Sequence, residues 1–343
     1  MNFLKTSALL IPIFALTGCP EKETDAADDT DTNDTTDTVC TSSLDGFFPE
    51  NGATEAFYRT SIEIMYGQAE TNETASITVT TGGTAVEGSV SWSDDGMTAF
   101  FTPNAPLMPS TTYKVETSYS CDKTASAEWT TSDIGAPPDS MSLVGKVYAL
   151  DIFSGRVVEP PGVGDLITQL IGQAGEPINI LLSPYEYDAA AMTLGMRGAL
   201  GVDEGGTLVQ DVCTESINFP IAADFSENPY FEIEGTNVEI AVSDFALGID
   251  SLKVTGAFSP NGDQIGGASA EAFVDARKIT GVDLGDICSL VGIAGLSCIP
   301  CADGEPQCLA LKIDSLVAPE VGTGGIALIT TADVDGNAAC ATE

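Results

Sequence analysis

Residues 86–119 read VEGSVSWSDDGMTAFFTPNAPLMPSTTYKVETSY. Three runs, Val86–Trp92, Met97–Thr102 and Thr111–Tyr119, alternate apolar with polar side chains. A period of two is the mark of a sheet with one face buried. Asp94-Asp95-Gly96 turns the first run into the second, because glycine accepts positive φ without a steric cost. Pro109 turns the chain into the third. The same pattern continues outward. Ser61–Tyr66 sets Ile62 and Ile64 on one face, and Ala75–Thr80 does so with Ile77 and Val79 before Gly82-Gly83. Ala125–Thr131 closes the set. Six or seven short strands in about ninety residues, with turn signals between them, predict an antiparallel β-sandwich over residues 40–133.

Ile134-Gly135-Ala136-Pro137-Pro138-Asp139 breaks the pattern, so residues 134–140 are read as a linker. Residues 141–343 are long enough for one further core. They are β-rich as well, with strands expected at Leu143–Ile152, Ile178–Leu182, Thr193–Leu200, Thr236–Val242, Ser251–Phe258 and Ala268–Ala276. Ser259-Pro260-Asn261-Gly262-Asp263 is a hairpin turn, since Asn-Gly tolerates positive φ. The expected fold class is therefore all-β: an Ig-like sandwich followed by a barrel or second sandwich with short helices. Gly164–Gly172 and Val282–Leu296 are the helical patches. The first places Leu166, Ile167, Leu170 and Ile171 on one face. They read as a plug on a β core or as a lid over an apolar ligand cavity.

The N-terminus carries an address. Met1–Gly18 has one cation, Lys5, then an apolar run, and ends in Leu16-Thr17-Gly18 against Cys19. This is the plan of a lipoprotein signal peptide over residues 1–18. Cleavage would leave Cys19 free to carry acyl chains, and the run is too short for a permanent membrane span. Pro20 follows where an Asp would resemble an inner-membrane retention signal, so the outer membrane is the expected destination. Residues 20–39 are nearly all Asp, Glu, Thr and Ala and read as a charged, extended tether. Asp29, Asp31 and Asn33 have the spacing of a calcium loop, but Asp34 stands where Gly is needed and Cys40 where Glu is needed. A solvated linker is the favoured reading.

The formal net charge is −39, with 12 basic and 51 acidic residues. Such a surface repels nucleic acid and anionic headgroups, so the expected partner is a membrane reached through the lipid alone. The chain has no histidine, which excludes Ser-His-Asp and Cys-His catalysis and His-ligated metals. No G-x-S-x-G, P-loop or G-x-G-x-x-G is present, and no catalytic residue, cofactor or metal site is predicted. Of nine cysteines, Cys19 is assigned to lipidation, leaving Cys40, Cys121, Cys213, Cys288, Cys298, Cys301, Cys308 and Cys340. An even set in an exported protein suggests disulfides. Cys298-Ile-Pro-Cys301 with Cys288 and Cys308 is open to a zinc or redox reading, but Pro300 and the loop-like residues 302–306 favour structural bridges. Cys40 with Cys121 is the natural pairing within the first region.

Phe48-Pro49-Glu50-Asn51-Gly52-Ala53, Ile62–Tyr66, Val86–Val90, Asp94–Phe100, Phe101-Thr102-Pro103 and Leu107–Val115 together resemble the bacterial Ig-like domain of the S-layer-protein type. Glu128–Thr131 resembles its closing strand. The resemblance implies a sandwich in which Tyr113 caps a corner and Val115 enters the core, used as a spacer or stalk without catalytic residues. Tyr66 stands where Phe is commoner, and Cys121 is not a general feature of the family. The C-terminal region resembles modules of predicted myxobacteria-like lipoproteins at Gly256-x-Phe258-Ser259-Pro260-Asn261-Gly262, Asp275-Ala276-Arg277 and Cys298-x-x-Cys301-x-Asp303-Gly304. That resemblance implies no activity.

Asp275 and Arg277 read as an exposed pair on one strand face, worth about 0–1 kcal/mol. Asp333-Val334-Asp335-Gly336-Asn337 reads as a turn rather than a calcium site. Trp92 and Trp129 read as core residues, and Tyr185 and Tyr187 as loop packing. The functional expectation is a non-enzymatic, lipid-anchored envelope protein whose Ig-like stalk presents the β-rich module for surface interaction or adhesion. The alternative is a carrier holding a lipid or other apolar ligand in the C-terminal barrel. Carboxylate-based glycan hydrolysis would require two facing acids, and no such pair is recognisable.

Overall fold

The computed structural model describes residues 41–152, 154–160, 179–242, 245–280, 288–289, 292 and 297–340. The sandwich is built from β1 (Leu44–Phe48), β2 (Ile62–Tyr66), β3 (Ser76–Thr81), β4 (Thr84–Ala85), β5 (Gly88–Trp92), β6 (Thr98–Pro103), β7 (Thr112–Tyr119) and β8 (Lys123–Thr130). One sheet has the order β1-β2-β6-β5 and the other β4-β3-β7-β8. The alternation legible in the sequence sets the packing. Tyr113, Val115, Thr117 and Tyr119 of β7 point inward against Ile62, Ile64 and Trp129. Thr117 is buried but satisfied, its Oγ1 lying 2.8 Å from the Tyr66 hydroxyl. The Met108 amide donates to the Tyr113 hydroxyl at 2.8 Å, so this tyrosine does cap a corner of the sandwich. Trp129 is fully enclosed. Trp92 is only half-buried, because β5 lies at a sheet edge and its indole N–H donates outward to Asn72.

The second body begins with α1 (Ser140–Leu143), capped by the Asp139 carboxylate, which accepts from the Met141 amide at 3.1 Å. Leu143, expected to open a strand, ends this helix instead. Then come β9 (Lys146–Asp151), β10 (Arg156–Glu159), β11 (Asn179–Asp188), β12 (Thr193–Asp203), β13 (Leu208–Gln210), β14 (Ile217–Asn218), β15 (Ala223–Asp224), β16 (Tyr230–Val242), β17 (Phe245–Phe258), β18 (Gln264–Thr280) and β19 (Cys308–Thr323). Among the described residues, β9-β11-β12-β15-β16-β17-β18-β19 run antiparallel, and β19 returns to pair with β9, closing an eight-stranded barrel. Of the two expected alternatives, barrel or sandwich, the structure is a barrel. Closure leaves no edge along the ring.

Inward-facing Tyr148, Phe231, Phe258, Leu252, Ile265 and Leu316 are all buried in one apolar cluster. Phe258 contacts Tyr148, Phe225 and Phe231 at ring-centroid distances of 5.4, 5.9 and 5.1 Å. Each such side chain contributes about 1.5–3 kcal/mol by leaving water. The β17–β18 hairpin falls at Ser259–Asp263, with Gly262 at φ 63° where the turn needs it. Its Gly262 carbonyl accepts from the Tyr148 hydroxyl and from Lys146 Nζ, both at 2.8 Å, which ties the turn to β9.

Strands β9, β11 and β12 are also covered on their outer face. Val147, Ala149, Leu181 and Ala199 pack beneath Ile326 of the C-terminal segment. That segment is held by Arg197, which donates to the Ile326 carbonyl at 2.8 Å, and by the Cys213–Cys340 disulfide. Tyr185 and Tyr187 lie on β11 rather than in a loop. Tyr187 packs edge-on against Phe225, and the Arg197 guanidinium lies 4.8 Å from the exposed Tyr185 ring. Asp333–Asn337, expected to turn, instead lies at the end of α2 (Thr331–Gly336), with Asp333 accepting from the Thr330 amide at 2.9 Å.

Candidate functional site

The sandwich and the barrel meet in a shared interface. Ala257 of β17 belongs to the sandwich core, as does Ile134 from the expected linker. Gly267 of β18 has φ 56° and lies under the Phe57 ring, where an added Cβ would sit 2.0 Å from a ring carbon. Arg156 of β10 spans the boundary. Its guanidinium donates to both oxygens of Glu63 at 3.0 and 2.8 Å and to both oxygens of Asp314 at 3.0 and 2.8 Å. The Phe48 ring lies 4.0 Å away. This fork explains why Glu63, a carboxylate on β2, is buried between apolar neighbours.

Beside this contact a cleft of about 660 Å³ opens between the two bodies. One wall is the segment Phe57–Ser61 with Thr102–Pro106 of the sandwich. The other is the outer face of β16–β19. Across it, directly opposed residues run Glu234, Lys253, Glu271, Lys312 and, on β10, Glu159, alternating in sign. Opposite charges on facing strands stabilise a sheet, whereas like charges repel. Lys312 pairs with Glu271 at 2.6 Å, and Lys253 with Glu232 at 2.9 Å. The hydrogen bond from Lys253 to Glu232 raises the lysine's pKa, so it stays charged. Arg59 binds Glu227 and stacks 4.2 Å over the Tyr230 ring. A second basin of about 440 Å³ adjoins the first and shares Glu227, Tyr230 and Glu232 with it.

A second cluster lies where β18 meets the disulfide loop. Asp275 is 1% exposed, not on an open face as expected. Arg277 donates to it from its backbone amide, Nε and Nη2 at 3.0, 2.8 and 2.8 Å, and reaches Asp303 at 2.8 Å. The exposed-pair reading is thereby corrected: Arg277 fastens the loop after Cys301 to a buried carboxylate. The Arg277 hydrogen bonds hold the Asp275 carboxyl below its ordinary pKa.

Cys288 is bonded to Cys298, and Cys301 to Cys308. The C-x-x-C pair is thus not closed on itself, in contrast to a thioredoxin-type redox site. Asp250 lies within 4.8 Å of the Cys301 and Cys308 sulfurs, but in their disulfide these offer no thiolate to a metal. Cys121 is also disulfide-bonded. Cys40, the expected lipidation site Cys19, the expected lipobox residues Leu16, Thr17 and Gly18, and the candidate lid residues Leu166, Ile167, Leu170 and Ile171 lie outside the described residues. Among the described residues no helix is long and apolar enough to cross a membrane.

The cleft was not read from the sequence. Its residues come from five strands and three loop stretches, and its charged members are each an ordinary polar position taken alone. The scarcity of basic residues was the one available signal, since Arg59, Lys253 and Lys312 all converge here.

The architecture defines an all-β protein that joins an Ig-like sandwich to a closed barrel. Residues 39–132 match the family model of the bacterial Ig-like domain. Among solved structures, the copper resistance protein PcoC from Escherichia coli aligns at TM-score 0.23 and 20% identity, over 26% of this chain and 98% of that one. The N-terminal part of the bacterial S-layer protein SbsC aligns at TM-score 0.24 and 13% identity, over 47% of this chain and 41% of that one. An L,D-transpeptidase from Mycobacterium smegmatis aligns at TM-score 0.22 and 11% identity, over 49% and 79% of the two chains. No curated protein matches the chain.

Proposed function

We propose that this chain is a non-enzymatic, lipid-anchored protein of the cell envelope, directed to the outer membrane. Cys19 anchors it, residues 20–39 extend it, and the sandwich and barrel are displayed for surface interaction or adhesion. The observation that carries this reading is the order of parts: a lipobox at Leu16–Cys19, a charged tether, and a bacterial Ig-like match beginning at residue 39. The three disulfides among residues 213–340 suit an oxidising compartment. The aromatic packing around Phe258 supports display over transport of an apolar cargo, because these side chains occupy the barrel interior.

Mass spectrometry of the protein extracted from its own membrane tests the reading. Native and denaturing spectra are expected to show an N-terminus at acylated Cys19. An unmodified Cys19, or an N-terminus elsewhere, would overturn the anchor. A lipid that leaves only on denaturation would favour the carrier.

A further inference from the structure

We infer that the cleft between the sandwich and the barrel binds a neutral oligosaccharide. The inference concerns the body's surface and stands whether or not Cys19 is acylated. Its first support is shape. The two adjoining basins, about 660 and 440 Å³, share Glu227, Tyr230 and Glu232 along their common border, where Arg59 rests on Glu227 and Tyr230. Volumes of this size suit small-molecule ligands, and the extension suits a linear one.

The second support is the chemistry of the floor. Lys253, Glu232, Lys312 and Glu271 are 35–45% exposed at their side chains, so they face the cleft while holding one another in ion pairs. Thr255 and Ser269, opposite each other on β17 and β18, add hydroxyls to the same face. Asn104 lies on the facing wall. The floor of the larger basin offers donors and acceptors side by side in fixed positions, with Lys253 and Glu232, and Lys312 and Glu271, already paired. A sugar hydroxyl both donates and accepts, so a polyol matches each pair without bringing a charge of its own.

Other ligand classes fit less well. An anionic polymer meets a chain of formal net charge −39 and a floor whose cations are already paired. A lipid tail would desolvate these ion pairs with nothing in return. An added peptide strand needs a free sheet edge, and β17 and β18 are hydrogen-bonded on both sides.

The test is isothermal titration calorimetry on the full mature chain with its disulfides intact. The probes are cellohexaose, maltohexaose, chitohexaose and mannohexaose, with a heparin hexasaccharide and hexalysine as charged comparators. At least one neutral hexaose is expected to bind more tightly than either comparator. The double variant Lys253→Met/Glu232→Gln should weaken that binding at least about tenfold, the ordinary worth of a hydrogen bond to a charged group. Tyr185→Ala, on β11 and outside the cleft, should leave it unchanged. Absence of binding at millimolar concentrations, tighter binding of heparin or hexalysine, or an unaffected double variant would overturn the inference. If the double variant fails to fold, amide shift mapping on the wild-type chain decides: changes at Asn104, Thr255 and Ser269 support the cleft, and changes elsewhere reject it.

Discussion

Arg156 of the barrel closes a two-pronged hydrogen bond on Glu63 of the sandwich, at 3.0 and 2.8 Å, and grips Asp314 of its own barrel with the same guanidinium. The two bodies therefore meet through a charged clasp as well as an apolar contact. Arg156→Met would leave Glu63, which is 9% exposed, without its cation. The expected loss is about 2–3 kcal/mol, below the range for fully enclosed pairs because Arg156 keeps some contact with water. Urea unfolding measures it. Adding Glu63→Gln should recover part of the loss, and strictly additive effects would show that the two residues do not interact.

The approach at Gly267 predicts a steric cost. Gly267→Ala combines a positive φ with a Cβ inside van der Waals contact of Phe57. Overpacking of this kind costs about 1–3 kcal/mol. The double variant Gly267→Ala/Phe57→Ala should be less destabilised than the sum of the single changes, read from denaturant midpoints.

Within the sandwich, Tyr113→Phe keeps the ring and removes only the hydroxyl that accepts from the Met108 amide. The expected loss is about 1 kcal/mol, the usual net worth of one such bond. A thermal shift measurement checks it, and an unchanged midpoint would show that water replaces the hydroxyl.

Asp275 should make stability depend on acid. Its carboxyl is held below the ordinary range, first by the Arg277 hydrogen bonds. The native state therefore binds fewer protons than the unfolded chain in mild acid. Its contribution is complete above the unfolded carboxylate pKa of about 3.9 and is lost as pH falls through the native value. Asp275→Asn should lower stability at pH 7 and flatten the decline below about pH 4. Urea unfolding from pH 3 to pH 7 checks both effects, and a parallel downward shift at every pH would count against the linkage.

The Cys213–Cys340 disulfide spans 127 residues and fastens the segment that covers β9, β11 and β12. Cys213→Ser/Cys340→Ser should cost about 2–5 kcal/mol, the usual range for a native bridge. Hydrogen exchange should rise at Ala327 and Ile329, whose amides are bonded to Gln210 and Ser216. Unchanged protection there would show that Ile326 packing alone holds the segment.

The sandwich was legible because its local signals agree. Ile62, Ile64, Val79, Tyr113 and Val115 alternate with polar neighbours, and the pleat alone sends them inward. The barrel was legible as β-rich, and the turn at Ser259–Asp263 was readable from Asn261-Gly262. Strand β19 was not anticipated. The register slips where Ser315 takes φ 60°, so Ile313 and Leu316 both face inward across a break in the alternation. Its charged outer positions, Lys312 and Asp314, find their partners only on β18 and β10, far away in sequence.

The chain's acidity, its lack of histidine and its β periodicity are one-dimensional properties, and the sequence alone determines them. Ring closure, the choice of disulfide partners, the burial of Asp275 and the cleft belong to the tertiary structure. Each depends on residues far apart in the chain, such as Glu63 with Arg156 or Tyr148 with Glu320, and local propensity carries no information about which distant strands will meet.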